Sequence, residues 1–458
     1  MTEKWLLWAG LGLLALGALF LAFRHPNKAF LMVVFATPFV FTPVRGNVLM
    51  RVGLPEVAFL VFLVAWLMRR VVFAEKLRRL APAHYLCILL MAAVCLSLAG
   101  LGERAEVASA AFETIILAYL VLFCILADQV IKTEEALRQV LDIWMVSAAV
   151  VALIGLYDVF AVVTRAVPQL FPFKDPYRVM ATFRRPPQLA VYALTTFFTM
   201  LAYSCMGDMG RLKRWLLRAL AMAMVVLIVF TSRRSVLAAL VAGMCLILLM
   251  RTPKLSRAVV FTTFFLAAVG LGHQLVSTSP ELSAFFGKRL RVLVTREALE
   301  HPFIQTNLHD ALHAFGEHPV LGIGYGTFAE SDYSTTHNEI HSAPLGMLSE
   351  CGLLGLGVYL ALTVCIIYLG YRCTRLARGT PWQDFTLMLL PMLLALQVSY
   401  LYNRCLRDRT YWLVLVLLVA LHRLLRERRR AQAGPDLPAP AGSLPGSPPV
   451  SAAGPPSP

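Results

Sequence analysis

The chain has 458 residues, of which 59% are hydrophobic and only 15% charged, and its mean hydropathy is +0.70. Soluble domains carry about 25% charged residues, so the composition argues against a water-soluble globular enzyme and against a disordered or fibrous chain over most of the length. The net charge of +16 is read as basic residues flanking membrane helices on their cytoplasmic side, with no nucleic-acid partner implied.

Apolar residues come in blocks of about 20, the length with which an α-helix crosses the hydrocarbon core of a bilayer. In chain order the blocks are 5–23, 29–43, 52–68, 84–100, 109–127, 140–163, 187–206, 216–231, 234–250, 258–275, 346–370, 385–402 and 410–422. The first lacks the basic start and cleavage site of a signal peptide and reads as a retained helix. The second contains Pro38 and Pro43 and the last is short. The expectation is an all-α, polytopic membrane helix bundle of about 12–13 spans, with the side of the N-terminus left open. Nine cysteines show neither paired nor metal-ligand spacing.

Short basic loops orient the path. Arg69, Arg70, Lys76, Arg78 and Arg79 mark one cytoplasmic loop, and Arg211, Lys213 and Arg214 another. Arg251, Lys254 and Arg257 mark a third, Arg372, Arg375 and Arg378 a fourth, and Arg426, Arg428, Arg429 and Arg430 the basic end. Alternation then puts 165–185, 276–345 and 403–409 on the opposite face. The chain divides into an N-terminal transmembrane bundle (1–275), an outer loop containing short helices (276–345), C-terminal transmembrane helices with a basic end (346–430) and a tail (431–458). That tail holds nine prolines among Ala, Gly and Ser and reads as disordered and cytoplasmic.

Seventeen Lys and Arg fall on segments assigned to the outer face, which the orientation rule does not explain. Arg165, Lys174, Arg178, Arg184 and Arg185 precede the seventh block, and Arg233 and Arg234 sit between the eighth and ninth. A single arginine at a helix edge is ordinarily an anchor at the membrane surface. The Arg233–Arg234 pair occupies a link too short for a solvated loop, so it is expected to turn inward, toward an anion.

Six of ten histidines (301, 309, 313, 318, 337 and 341) lie in the outer loop. Leu308, Ala311, Leu312 and Phe315 have the spacing of an amphipathic helix ended by Gly316, fit to lie on a membrane surface. His309 and His313 beside them read as ordinary surface residues. The glycine run 322–326 matches neither a phosphate loop nor a dinucleotide turn and reads as a flexible turn. Thr336 to Glu339 has the form of a capping box that starts a helix at His337, and Pro344 is suited to open the following membrane helix. His337 and His341 would then share a helix face. Asn338 stands where a zinc-protease helix carries Glu, and with no third ligand in place no metal is expected.

Three stretches together resemble the bacterial O-antigen ligase/polymerase superfamily. One is 178–190, Arg-Val-Met-Ala-Thr-Phe-Arg-Arg-Pro-Pro-Gln-Leu-Ala; one is 231–235, Thr-Ser-Arg-Arg-Ser. The most specific runs from Glu317-His318-Pro319 through the glycines of 322–326 to His337-Asn338, then Glu350-Cys351-Gly352. The resemblance covers about 165–370. It implies a metal-independent membrane glycosyltransferase without cofactor, in the bacterial inner membrane, with its active site facing the periplasm. The donor would be an undecaprenyl-diphosphate-linked glycan and the acceptor lipid A-core or another glycan. Arg178 and Arg233 would hold the diphosphate and His337 would act at the reaction centre. Arg184, Arg185, Arg234, Arg296, Asn338 and Glu350 would support them. Neutralised by arginines, a diphosphate is a good leaving group, and an imidazole suits proton abstraction.

The sequence also departs from that pattern. Ala181 stands where the family prefers Gly, Pro187 where it prefers Asn, and Ile304 where it usually has an arginine, with Arg291 and Arg296 the nearest basic residues upstream. The compact outer loop favours an O-antigen ligase with lipid A-core as acceptor. An O-antigen or exopolysaccharide polymerase is the alternative; a protein O-oligosaccharyltransferase is less favoured because the outer loop is compact, and a lipid-linked-glycan flippase or solute transporter because no internal repeat is evident.

Overall fold

The computed structural model describes residues 20–40, 53–74, 76–100, 104–171, 177–250 and 302–432. The 258–275 block, the basic cluster at 251–257, Arg291, Arg296, most of the first block and nearly all of the tail lie outside them. Among the described residues the regular secondary structure is helical: α1 (Pro26–Ala36), α2 (Leu54–Phe73), α3 (Pro82–Ser97), α4 (Arg104–Val130), α5 (Glu134–Thr164) and α6 (Pro186–Ser204). It continues with α7 (Arg211–Thr231), α8 (Arg234–Leu249), α9 (Pro302–Glu317), α10 (Ala343–Leu376), α11 (Gln383–Tyr400) and α12 (Arg409–Gln432). Four of these, over Val107–Val130, Glu134–Thr164, Arg211–Thr231 and Ala343–Leu376, are long and apolar enough to cross a membrane. Large apolar side chains such as Ile115, Leu153 and Val364 stand exposed on them.

Local chemistry explains where helices start. Proline occupies the first turn of α1, α2, α3, α6 and α10, where its missing N–H costs nothing. Thr133 caps α5 by accepting from Ala136 N at 3.1 Å, followed by Glu134 and Glu135 in the first turn, which suits the positive end of the helix dipole. Among the described residues the second block forms the 11-residue α1, about 16 Å long. The short last block is part of α12, whose residues from Thr410 to Leu421 are all buried. A helix apolar and buried on every side belongs at the centre of a bundle, and α12 packs on α4, α5 and α10.

Ion pairs sort the ends of the described helices into two groups. At one end Arg78 pairs with Glu427 at 2.8 Å, Arg428 with Glu134 at 2.9 Å, and Arg138 with Asp208 at 2.5 Å. These contacts gather the α2–α3 link, the start of α5, the α6–α7 link and the end of α12. The starts of α4, α6, α8, α10 and α12 lie at the opposite end.

The outer loop departs from expectation at two places. Residues 336–341 form no helix; α10 begins at Ala343, capped by Ser342, whose side chain accepts from Leu345 N. The capping box is therefore absent, and His337 and His341 share no helix face. Glu339 turns instead to Arg407, and Thr336 Oγ1 donates to Asn307 Oδ1 at 3.2 Å. Tertiary partners outcompete the local cap.

The second place is the glycine run, which is packed rather than flexible. Ile323 N donates to Ser349 O at 3.1 Å and Gly324 N to Glu350 O at 3.0 Å. Gly322 and Gly352 both have positive φ, at 73° and 63°. A Cβ on Gly322 would strike the backbone of Glu350 and Cys351, and one on Gly352 the backbone of Val320. The loop is thus keyed into a kink of α10 at Gly352. Helix α9 forms as expected, but its buried stripe is Asn307, Asp310, Ala311 and Ala314, while Leu308 and Leu312 are about half exposed.

Candidate active site

A cavity of about 510 Å³ opens at the end of the bundle opposite the basic loops. Six arginines line it: Arg184, Arg185, Arg233, Arg404, Arg407 and Arg409, against the carboxylates of Glu113, Glu330, Glu339 and Asp408. Arg185 and Arg233 are the N-cap residues of α6 and α8, and Arg409 opens α12. Three helix N-termini therefore meet at the cavity wall, where their dipoles add to the guanidinium charge.

The carboxylates hold the C-terminal arginines in place. Arg404 pairs with Glu350 and donates from Nε to Ile340 O at 3.0 Å. Arg407 bridges Glu113 and Glu339, and Arg409 pairs with Glu56, whose other oxygen accepts from Gly53 N at 2.8 Å at the start of α2. Glu350 is 2% exposed, and its second oxygen accepts from Gly326 N at 3.1 Å. One buried carboxylate thus ties the glycine run, the kink of α10 and a cavity arginine together. On the other wall Arg184 Nε donates to Val40 O at 3.3 Å.

The electrostatics follow from this crowding. Burial opposes ionisation of Glu339, yet Arg407, Arg404 and Arg185 hold its carboxyl down at about 2. His341 lines the cavity with its side chain exposed to it; the desolvation it meets there, then the nearby Arg233, push its pKa below the ordinary 6.5, with Glu339 acting the other way. Near neutral pH its imidazole is uncharged and able to accept a proton.

The structure brings together some of the anticipated residues and not others. Arg233, Arg184 and Arg185 line the cavity; Arg178 and Arg234 are half-buried and do not. Arg178 lies beside the end of α7, where Val179 N donates to Phe230 O at 3.3 Å. His337 is exposed, with φ 48°, and does not line the cavity, and Asn338 is exposed, its Nδ2 donating to Thr336 O at 2.7 Å. Glu350 is buried behind the wall. Ile304 lies on α9, and Arg296 falls outside the described residues.

Sequence reasoning weighed His341 only as a metal ligand beside His337, and passed over the trio Arg404, Arg407 and Arg409. A usable signal was present: three arginines within six residues in the link between two apolar blocks. Ala181, where the resemblance expects glycine, is buried with φ 45°, a conformation that suits glycine. Comparison with models of known protein families matches none of them, and comparison with curated proteins finds no match.

Proposed function

We propose that this membrane protein is a metal-independent glycosyltransferase of the O-antigen ligase type, acting at the arginine-lined cavity on a polyprenyl-diphosphate-linked glycan. The observation that carries the reading is six arginines lining one cavity, three of them at helix N-termini, on the end of the bundle away from the basic loops. That end would face the periplasm of a bacterial inner membrane, with the 12–13 spans of the sequence reading completing the bundle. Fixed guanidinium groups neutralise a diphosphate without reorganising during the reaction, and their planar forks match its oxygens. The positive φ at Ala181 gives independent support to the resemblance.

In this reading the arginines hold the donor diphosphate and stabilise it as the bond from the sugar anomeric carbon to the phosphate oxygen breaks. An acceptor hydroxyl attacks that carbon, its proton passes to the uncharged imidazole of His341, and polyprenyl diphosphate leaves. Glu339, ionised and adjacent, stabilises the imidazolium that forms. His341 takes the role that sequence reasoning gave to His337, because it is the histidine that faces the arginines. The acceptor is lipid A-core, which arrives anchored in the same leaflet, so confinement supplies part of the orientation that catalysis needs.

The test is the lipopolysaccharide pattern of a strain lacking the protein. Bare lipid A-core with polymer accumulating on the polyprenyl carrier is the expected result. Lipid A-core bearing single repeat units identifies a polymerase, and an unchanged pattern with unchanged carrier-linked glycan refutes both.

A further inference from the structure

A second cavity, of about 570 Å³, lies between α9 and the loop that follows it, lined by His309, His313, His318, Glu317, Asp332 and Tyr333 among others. Its chemistry is the reverse of the first. Neither lysine nor arginine lines it, and Asp310, Glu317 and Asp332 supply negative charge, so a phosphate would be repelled. Tyr333 donates to Glu317 at 2.5 Å and lies 3.1 Å from His318 Nε2. The His309 and His313 rings stack at 6.4 Å, and His313 lies 5.6 Å from the Tyr333 ring. Among the described residues no three His, Cys, Asp or Glu side chains are placed to hold a metal ion. What remains is a wall of rings fringed by hydrogen-bond donors and acceptors, within the ~300–1,000 Å³ typical of small-molecule sites.

The position of this cavity matters as much as its chemistry. Gly326, Ala329 and Glu330 line the arginine cavity, and Ser331, Asp332, Tyr333 and Thr335, next along the chain, line this one. The two therefore adjoin. Helix α9 carries three stripes: a buried one, the imidazole–carboxylate stripe 309, 313 and 317 facing the cavity, and the exposed Leu308 and Leu312. The segment after α9 is bonded to α10, Leu353 N donating to Pro319 O at 2.9 Å, and Val320, Leu321, Leu353 and Leu354 extend the exposed apolar surface. That surface continues along a helix apolar enough to cross the membrane. A molecule anchored in the leaflet would present its headgroup at the level of the cavity.

We propose that this second cavity is a saccharide subsite, binding an uncharged, hydroxyl-rich sugar of one glycan partner beside the arginine cavity. Imidazoles and carboxylates bond sugar hydroxyls, and the Tyr333 ring and Ile323 cover their apolar faces. The inference rests on the transferase reading for which glycan arrives, whereas binding itself is measured without turnover.

The test uses the full chain in detergent and two soluble probes: lipid-free core oligosaccharide, and the free oligosaccharide of the O-antigen repeat. His309 and His313 are 82% and 58% exposed and will react with diethyl pyrocarbonate, scored residue by residue by mass spectrometry. One probe is expected to protect both histidines but not His337, and inorganic pyrophosphate to protect neither. The double variant His313→Ala/Asp332→Asn is expected to bind that probe at least about tenfold more weakly, at unchanged melting temperature, while Arg233→Ala binds it normally. Protection by the core oligosaccharide assigns the subsite to the acceptor, and protection by the repeat assigns it to the donor. Protection by pyrophosphate, or by neither sugar, overturns the proposal. Should the strain test deny glycan transfer while a sugar still protects, the subsite stands and the transferase reading falls.

Discussion

Arg407 reaches across the mouth of the cavity to Glu339, its Nη1 3.0 Å from Oε1, joining the α11–α12 link to the loop that carries His341. The two residues are 68 apart in the chain. Through this contact and that of Arg404 with Glu350, the C-terminal arginines and the histidine loop become one wall.

Arg233→Ala and Arg185→Ala should each lower glycan transfer by at least about 100-fold, the scale of losing one stabilising group in an electrostatic site. Lysine at 233 should restore only part of the activity, because it keeps charge without the planar fork. Lipopolysaccharide gels normalised to membrane protein level would show this, and full transfer by Arg233→Ala would defeat the diphosphate assignment.

His341→Ala should abolish transfer while His337→Ala leaves most of it, reversing the order expected from sequence. The pH profile adds a signature. A general base works unprotonated, and desolvation and Arg233 hold the His341 pKa below 6.5, so the acid limb of kcat/KM should have its midpoint below 6.5. That acid limb should be missing from the residual activity of the alanine variant. A limb at or above 6.5 would exclude His341.

Glu350→Ala should destabilise the protein by about 3–5 kcal/mol, the cost of stranding one member of a buried ion pair. Thermal unfolding in detergent measures it. Glu350→Gln should recover part of that loss, since the amide oxygen still accepts from Gly326 N. An Ala variant as stable as wild type would show that the carboxylate does not tie these elements together.

Ala181→Gly should raise the melting temperature. A non-glycine residue at φ 45° carries roughly 1–2 kcal/mol of steric cost, partly offset by the greater freedom of glycine when unfolded. Gly352→Ala should act in the opposite sense, because its Cβ would enter the backbone of Val320. Equal melting temperatures for Ala181→Gly and wild type would mean that the backbone there is unstrained.

Sidedness can be read with single cysteines at Asn338 and Leu77, both exposed, in a chain cleared of its native cysteines. An impermeant thiol reagent applied to intact spheroplasts should label the first and spare the second. The reverse pattern would place the arginine cavity in the cytoplasm and remove the proposed substrate.

Helix positions were legible in the chain because they depend on local quantities: runs of apolar residues and, at Pro344, a proline suited to a first turn. That Arg184, Arg185 and Arg233 stand at one end of the bundle was legible too, since the links between apolar blocks can be read along the chain. Which arginines share a cavity was not. Arg404, Arg407 and Arg409 reach it only because α12 threads the centre of the bundle, and that depends on how buried faces match between helices distant in sequence. The exchange of His337 for His341 has the same origin. Thr336 and Glu339 carry a valid capping pattern, but the ion pair of Glu339 with Arg407 and the bond from Thr336 to Asn307 take both away from it. Composition and spacing thus determined a helical protein with helices long and apolar enough to cross a membrane, and marked several of its cationic links. Long-range pairing of charges in a water-poor interior decided which side chains make the site, because a buried charge has to find its partner wherever the fold brings one.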